Sequence, residues 1–174
     1  MKIKLLLSIT LLFAVSNLFA QEQTRKLNLS YQQEIFVSQD FFLYVGPNLQ
    51  IGKNLDVYLF GEFIRTTPLM KGAQNFYSVG AHVSYDIAKS GTYLRVFGTH
   101  TFATKTNYGY FLVMQSINKL PVQPTFLVDT DGLVSFGIFG TVYENKWLSL
   151  GVWLNQAITN GNPTVVEFVS TMRF

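Results

Sequence analysis

The chain has 174 residues, of which 48% are hydrophobic, 16% aromatic and only 13% charged, with 13 Lys and Arg against 10 Asp and Glu. A soluble domain averages roughly 25% charged residues, and a disordered chain is charged and poor in aromatics, so neither class fits. With no cysteine, a disulfide scaffold, a thiolate metal site, a cysteine nucleophile and a lipid-modified N-terminal cysteine are excluded.

Met1 to Ala20 has the pattern of a secretory signal. Lys2 and Lys4 form the positive end, and Leu5 to Ala14 forms the apolar stretch. This run is shorter than the ~20 residues a spanning helix needs. Cleavage after Ala20 is expected, leaving residues 21–174 as one domain; a cut after Ser16 is the alternative. Loss of the two signal lysines leaves 11 basic and 10 acidic residues. Without a Lys/Arg cluster, such a chain has no footprint for nucleic acid.

From Gln21 onward the hydrophobic pattern has period two, the signature of strands. Strands are expected near 27–37, 41–51, 55–65, 76–88, 92–103, 108–117, 122–128, 133–143, 147–158 and 164–174. In the first, Leu27, Leu29, Tyr31, Ile35 and Val37 oppose Asn28, Ser30, Gln32 and Glu34. In the fourth, Tyr77, Val79, Ala81, Val83, Tyr85 and Ile87 oppose Ser78, Gly80, His82, Ser84 and Asp86. In the ninth, Leu148, Leu150, Val152, Leu154 and Ile158 oppose Ser149, Gly151, Trp153 and Asn155. In the last, Val166, Phe168, Met172 and Phe174 oppose Val165, Glu167, Val169, Thr171 and Arg173. The segment at 122–128 is the weakest, because Pro121 and Pro124 disfavour an interior strand. Ten is an even number, as single-chain bacterial barrels require; eight is the alternative, which the length suits at least as well.

A soluble barrel turns its polar face to water and enriches it in Lys and Glu, whereas a membrane barrel turns its apolar face to lipid. Here the polar face is Ser, Gly, Asn, Gln, Tyr and Thr. Lys53, Lys71, Lys89, Lys105, Lys119, Asp129, Asp131, Glu144 and Lys146 fall in expected turns. A charge on the lipid face costs about 2–4 kcal/mol at the bilayer midplane, which accounts for that distribution. Tyr31, Phe41, Tyr77, Tyr85, Phe102, Tyr108 and Phe174 flank strands as interfacial girdles do.

An exported chain of long alternating strands ending in an aromatic resembles the bacterial outer-membrane β-barrel proteins. Its terminal run, Val166 to Phe174, looks like the assembly signal of that class, with Phe168, Met172 and Phe174 in its apolar series and Ser170 interrupting it. In size it is similar to the small OmpA/OmpX-type barrels. The resemblance implies an all-β, transmembrane, antiparallel up-and-down barrel in the bacterial outer membrane. It also implies a monomer among outer-membrane lipid and lipopolysaccharide, recognised by the insertion machinery. With both termini periplasmic, the turns at Lys53-Asn54, Lys89-Ser90-Gly91 and Asn145-Lys146 are periplasmic, and the long connection from Thr66 to Asn75 is external.

The expected lumen set is Glu34, Asp56, Glu62, His82, Asp86, Arg95, Glu167 and Arg173. In a narrow barrel these charges pair into a plug; in a wider one the acids bias conduction toward cations. Phe42, Tyr44, Tyr58, Phe60, Phe97 and Trp153 share the inward parity and favour the plug. His82, Ser84 and Asp86 invite a hydrolase reading, but a triad needs its histidine in the middle, and here Ser84 holds that place. His100 falls on the apolar side, where a polar-tipped ring suits an interface. Asp129-Thr130-Asp131-Gly132 starts like a calcium loop but lacks the distant Glu, so a surface turn is expected. No catalytic residue, cofactor or metal site is assigned. The expected role is a structural or interaction barrel or a narrow passive pore. The alternatives are an outer-membrane lipid or lipopolysaccharide hydrolase, an accessory subunit of an envelope secretion or uptake complex, and a secreted soluble barrel holding an apolar ligand.

Overall fold

The computed structural model describes residues 27–66, 72–117, 120–159 and 164–174. The expected signal segment, and Lys71 and Lys119, lie outside the described residues. Ten strands follow in chain order: β1 Leu27–Val37, β2 Phe41–Ile51, β3 Leu55–Arg65, β4 Asn75–Ile87, β5 Thr92–Thr101, β6 Thr106–Gln115, β7 Val122–Asp129, β8 Val134–Glu144, β9 Leu148–Ala157 and β10 Val165–Arg173. Each pairs antiparallel with its chain neighbour, and β1 pairs with β10, closing a barrel. The terminal residue takes part in closure: Tyr31 and Phe174 exchange both backbone hydrogen bonds, at 3.1 and 2.8 Å.

The strand count is ten and not eight, and β7, the weakest of the expected segments, forms because it tolerates its proline. The β6–β7 ladder runs from Tyr110↔Asp129 to Met114↔Thr125 and stops one residue before Pro124. On the other side Pro124 still stands opposite Ile138. A proline removes one donor, and here the ladder ends where that donor would be needed. Pro47 behaves alike: the β2–β3 ladder skips Gly46 and Pro47, while Pro47 keeps its β1 partner Tyr31. A side chain at Gly46 would collide with the Leu59 carbonyl, so the two strands approach more closely there than any other residue permits.

Parity separates two environments. Leu59, Tyr77, Val79, Phe136, Ile138, Leu154, Val166 and Phe168 are exposed on the outer face. Gln32, Glu34, Asn48, Glu62, Ser78, His82 and Ser84 are buried on the inner one. This arrangement is inside-out relative to a soluble barrel and is that of a barrel solvated by lipid. Exposed Tyr31, Tyr143, Trp147 and Phe174 mark one end of the outer surface, and Tyr77 and Phe102 the other. Tyr108 departs from the girdle expected of it. It turns inward, its ring 6.5 Å from Phe97 and 6.3 Å from Tyr110, and its hydroxyl donates to Asp129 Oδ2 at 3.3 Å.

The turn after β7 is held by Asp129, whose Oδ1 accepts the backbone N–H groups of Asp131 and Leu133, both at 2.9 Å. Gly132 closes the turn at φ +84°, a conformation that costs glycine least. The calcium-like run is therefore a self-capped turn.

Candidate functional site: the barrel interior

Inward parity brings polar side chains from distant strands together across the lumen. Gln32 Nε2 donates to Glu34 Oε1 at 2.8 Å, and Arg95 Nη2 lies 3.6 Å from the same oxygen. Glu34 belongs to β1 and Arg95 to β5, four strands away round the ring, so this ion pair crosses the interior. Arg95 Nε also donates to the Tyr93 hydroxyl at 2.9 Å, and a further side-chain hydrogen bond links Arg95 to Tyr110. The Tyr58 hydroxyl, on β3, donates to the Gln32 carbonyl at 3.0 Å.

The other candidate residues take different places. Glu62 is buried; its Oε2 accepts from the Thr99 hydroxyl at 2.9 Å, and it shares a hydrogen bond with Tyr44. Asp56 accepts from Asn48 Nδ2 at 3.3 Å and lies within electrostatic reach of Arg173, Arg95 and Asp86. Asp86 and Arg173 are exposed at the end of the barrel where β4 finishes and the chain terminates. Glu167 is half-buried opposite Trp153 in the β9–β10 pairing. His82 packs its ring 5.0 Å from Tyr58 and 6.4 Å from Phe60, and no hydrogen bond joins it to Ser84 or Asp86. His100 sits against Phe102 at 5.6 Å, with Nδ1 2.8 Å from Asn107 Oδ1.

Between these polar groups stands an aromatic block. Phe97 stacks on Tyr110 at 4.6 Å and on Phe60 at 5.3 Å, and Tyr44 meets Phe60 edge-on at 5.0 Å. The Phe60 ring fits because residue 80 is glycine: a Cβ there would lie 2.7 Å from two of its ring carbons. Across the barrel Leu112, Leu127 and Trp153 form a second cluster, with Tyr110 packed against both. Trp153 Nε1 donates to Thr125 Oγ1 at 2.9 Å, satisfying the one polar atom of the indole.

Burial states the consequence. Tyr58 is 0% exposed, Glu34 4%, Phe97 6% and Trp153 7%, so inward side chains from β1, β3, β5 and β9 are closed to water at the same central layer. Gln32, Tyr110 and Thr125 belong to this layer, with Tyr93 and Thr99 flanking it along β5, and none of the five is among the expected lumen residues. Their signal was inward parity combined with a hydroxyl or amide, a weak one because most inward positions share it.

Among the described residues no three His, Asp or Glu side chains gather as a metal-binding group. No protein-family model matches the sequence, and no curated protein is similar to it. Among solved structures the chain is similar to a KdgM porin, with a TM-score of 0.48, 7% identity, and coverage of 83% of this chain and 99% of that one. It is also similar to a KdgM porin in complex with disordered oligogalacturonate, with a TM-score of 0.43, 8% identity and the same coverage. The closed ten-stranded barrel itself stands on the pairing of its own strands.

Proposed function

We propose that this protein is exported to the bacterial outer membrane and stands there as a plugged barrel with a structural or interaction role. The observation that carries this reading is the central layer of buried inward side chains, spanned by the Arg95–Glu34 pair and the Tyr44, Phe60, Phe97 and Tyr110 rings. A low-dielectric interior strengthens a satisfied polar network and makes each unpaired member costly, so such a layer resists opening. The lipid-facing parity and the signal-like first twenty residues support the location. Phe168, Met172 and Phe174 are proposed as the terminal determinant of insertion, and lipid and lipopolysaccharide as the surroundings. The hydrolase alternative draws no support from His82, which packs among rings.

The test is single-channel recording of refolded protein in a planar bilayer, with folding verified by the mobility difference between unboiled and boiled samples in detergent gels. Silence from folded protein is expected. Discrete cation-biased steps would overturn the plug and establish the narrow passive pore, for which the acids Asp56 and Asp86 toward one mouth are the supporting observation. A stable partner recovered with the folded, silent barrel would place it as an accessory subunit of a larger complex.

A further inference from the structure

The two ends of the barrel differ in charge. At the end where the chain terminates, the three fully described turns are residues 52–54, 88–91 and 145–147. Each carries one lysine and no acid: Lys53, Lys89 and Lys146, all exposed. The acids of this end, Asp56, Asp86 and Glu144, are on strands with inward parity, as is Arg173. Cations therefore ring the rim while acids sit at the mouth of the lumen. At the other end the described charges are mixed: Asp40, Arg65, Lys105, Asp129 and Asp131. On the β8–β9 side of this rim, exposed outer aromatics Tyr31, Tyr143, Trp147 and Phe174 gather, and Lys146 Nζ lies 4.7 Å from the Trp147 ring. Aromatic rings of this kind settle at headgroup level, and a lysine beside them lifts its ammonium into the phosphate layer.

We propose that this rim is a binding surface for anionic phospholipid headgroups, with one lysine per turn engaging the phosphates of the adjoining leaflet. The proposal rests on the membrane-barrel reading above. Basic side chains at a bilayer surface attract anionic lipid over a Debye length, and spacing them round a circumference favours an annulus of lipids over a single bound one. The mixed charge of the opposite rim gives no such preference, so the surface also distinguishes the two leaflets.

Trp147 reports on the rim, since it is exposed beside Lys146, whereas Trp153, the only other tryptophan, is buried inside the barrel. The folded protein is placed in phosphatidylcholine vesicles containing a tenth of either chain-brominated phosphatidylglycerol or chain-brominated phosphatidylcholine, and fluorescence quenching is compared. Enrichment of the anionic lipid by about twofold or more over its mole fraction is expected, falling toward one in 1 M salt. Lys146→Gln removes the excess, and Lys53→Gln, on a distant turn, leaves it intact. Equal quenching by both lipids, an excess that survives 1 M salt, or an excess that survives Lys146→Gln overturns the proposal. Absence of quenching by either lipid overturns the membrane-barrel reading together with it.

Discussion

The trans-lumen pair makes the sharpest prediction, because its two members have unequal reserves. Replacing Arg95 by Gln leaves the Glu34 carboxylate buried with the Gln32 amide as its remaining donor. Replacing Glu34 by Gln leaves Arg95 without its countercharge but with Tyr93 and Tyr110 still bonded. Breaking a buried ion pair by removing one partner costs roughly 3–5 kcal/mol. The 3.6 Å separation is longer than the 2.7–2.9 Å of a strong charge-assisted bond, so the pair itself falls at the low end of that range. We expect Arg95→Gln to destabilise by about 3 kcal/mol and Glu34→Gln by about 1–2 kcal/mol. The double variant strands no charge, so its cost is well below the sum, with a coupling of about 2 kcal/mol. Urea unfolding in lipid vesicles, followed by tryptophan fluorescence, measures all four corners of the cycle. Additive single effects, or a larger loss from Glu34→Gln than from Arg95→Gln, would refute the reasoning. The same variants in the bilayer recording test whether this pair closes the lumen.

Three further outcomes follow from particular positions. A Cβ at Gly80 would press on the Phe60 ring and the Gly98 carbonyl, at 2.7 and 2.5 Å, whereas one at Gly98 meets nothing within 4 Å. Gly80→Ala is therefore expected to cost about 1–3 kcal/mol in the same unfolding assay, and Gly98→Ala to be neutral or slightly stabilising; equal effects would contradict the packing described. Gln33 lies on the lipid-facing parity, between Ile35 and Tyr31, and its amide makes no side-chain hydrogen bond among the described residues. An unsatisfied amide against lipid costs about 1–3 kcal/mol, so Gln33→Leu should stabilise the barrel, and a loss of stability would show that the amide has a partner. Deleting Phe174 removes two hydrogen bonds from the β1–β10 seam and the apolar end of the terminal strand. Membrane yield, read from the heat-shifted gel band, is expected to drop severalfold, and unchanged insertion would end the assignment of this residue to assembly.

The β-barrel was legible because a membrane barrel imposes a binary rule on every residue. Lipid lies on one side of each strand and side chains on the other, so a period of two in Leu, Val and Phe against Ser, Asn and Glu marks both the strand and its orientation. Nearest-neighbour antiparallel pairing then follows from short turns such as 52–54 and 145–147. The largest boundary shifts are two residues, at the ends of β5 and β6. β5 stops at Thr101 and β6 starts at Thr106, around a turn in which Lys105 takes φ +54°.

What local pattern left open was settled by closure of the ring. Whether 122–128 is a strand depends on where the neighbouring ladders end relative to Pro124, a matter of register. The meeting of Glu34 with Arg95, of Tyr58 with Gln32 and of Tyr110 with both apolar clusters depends on the width of the lumen. That width is set jointly by strand number and stagger, which belong to the closed sheet and to no single segment. Alternation along each strand thus determined what each residue faces, lipid or lumen. Closure of the sheet alone decided what each residue touches, because contacts across a lumen are made between strands that have no local relation in the chain.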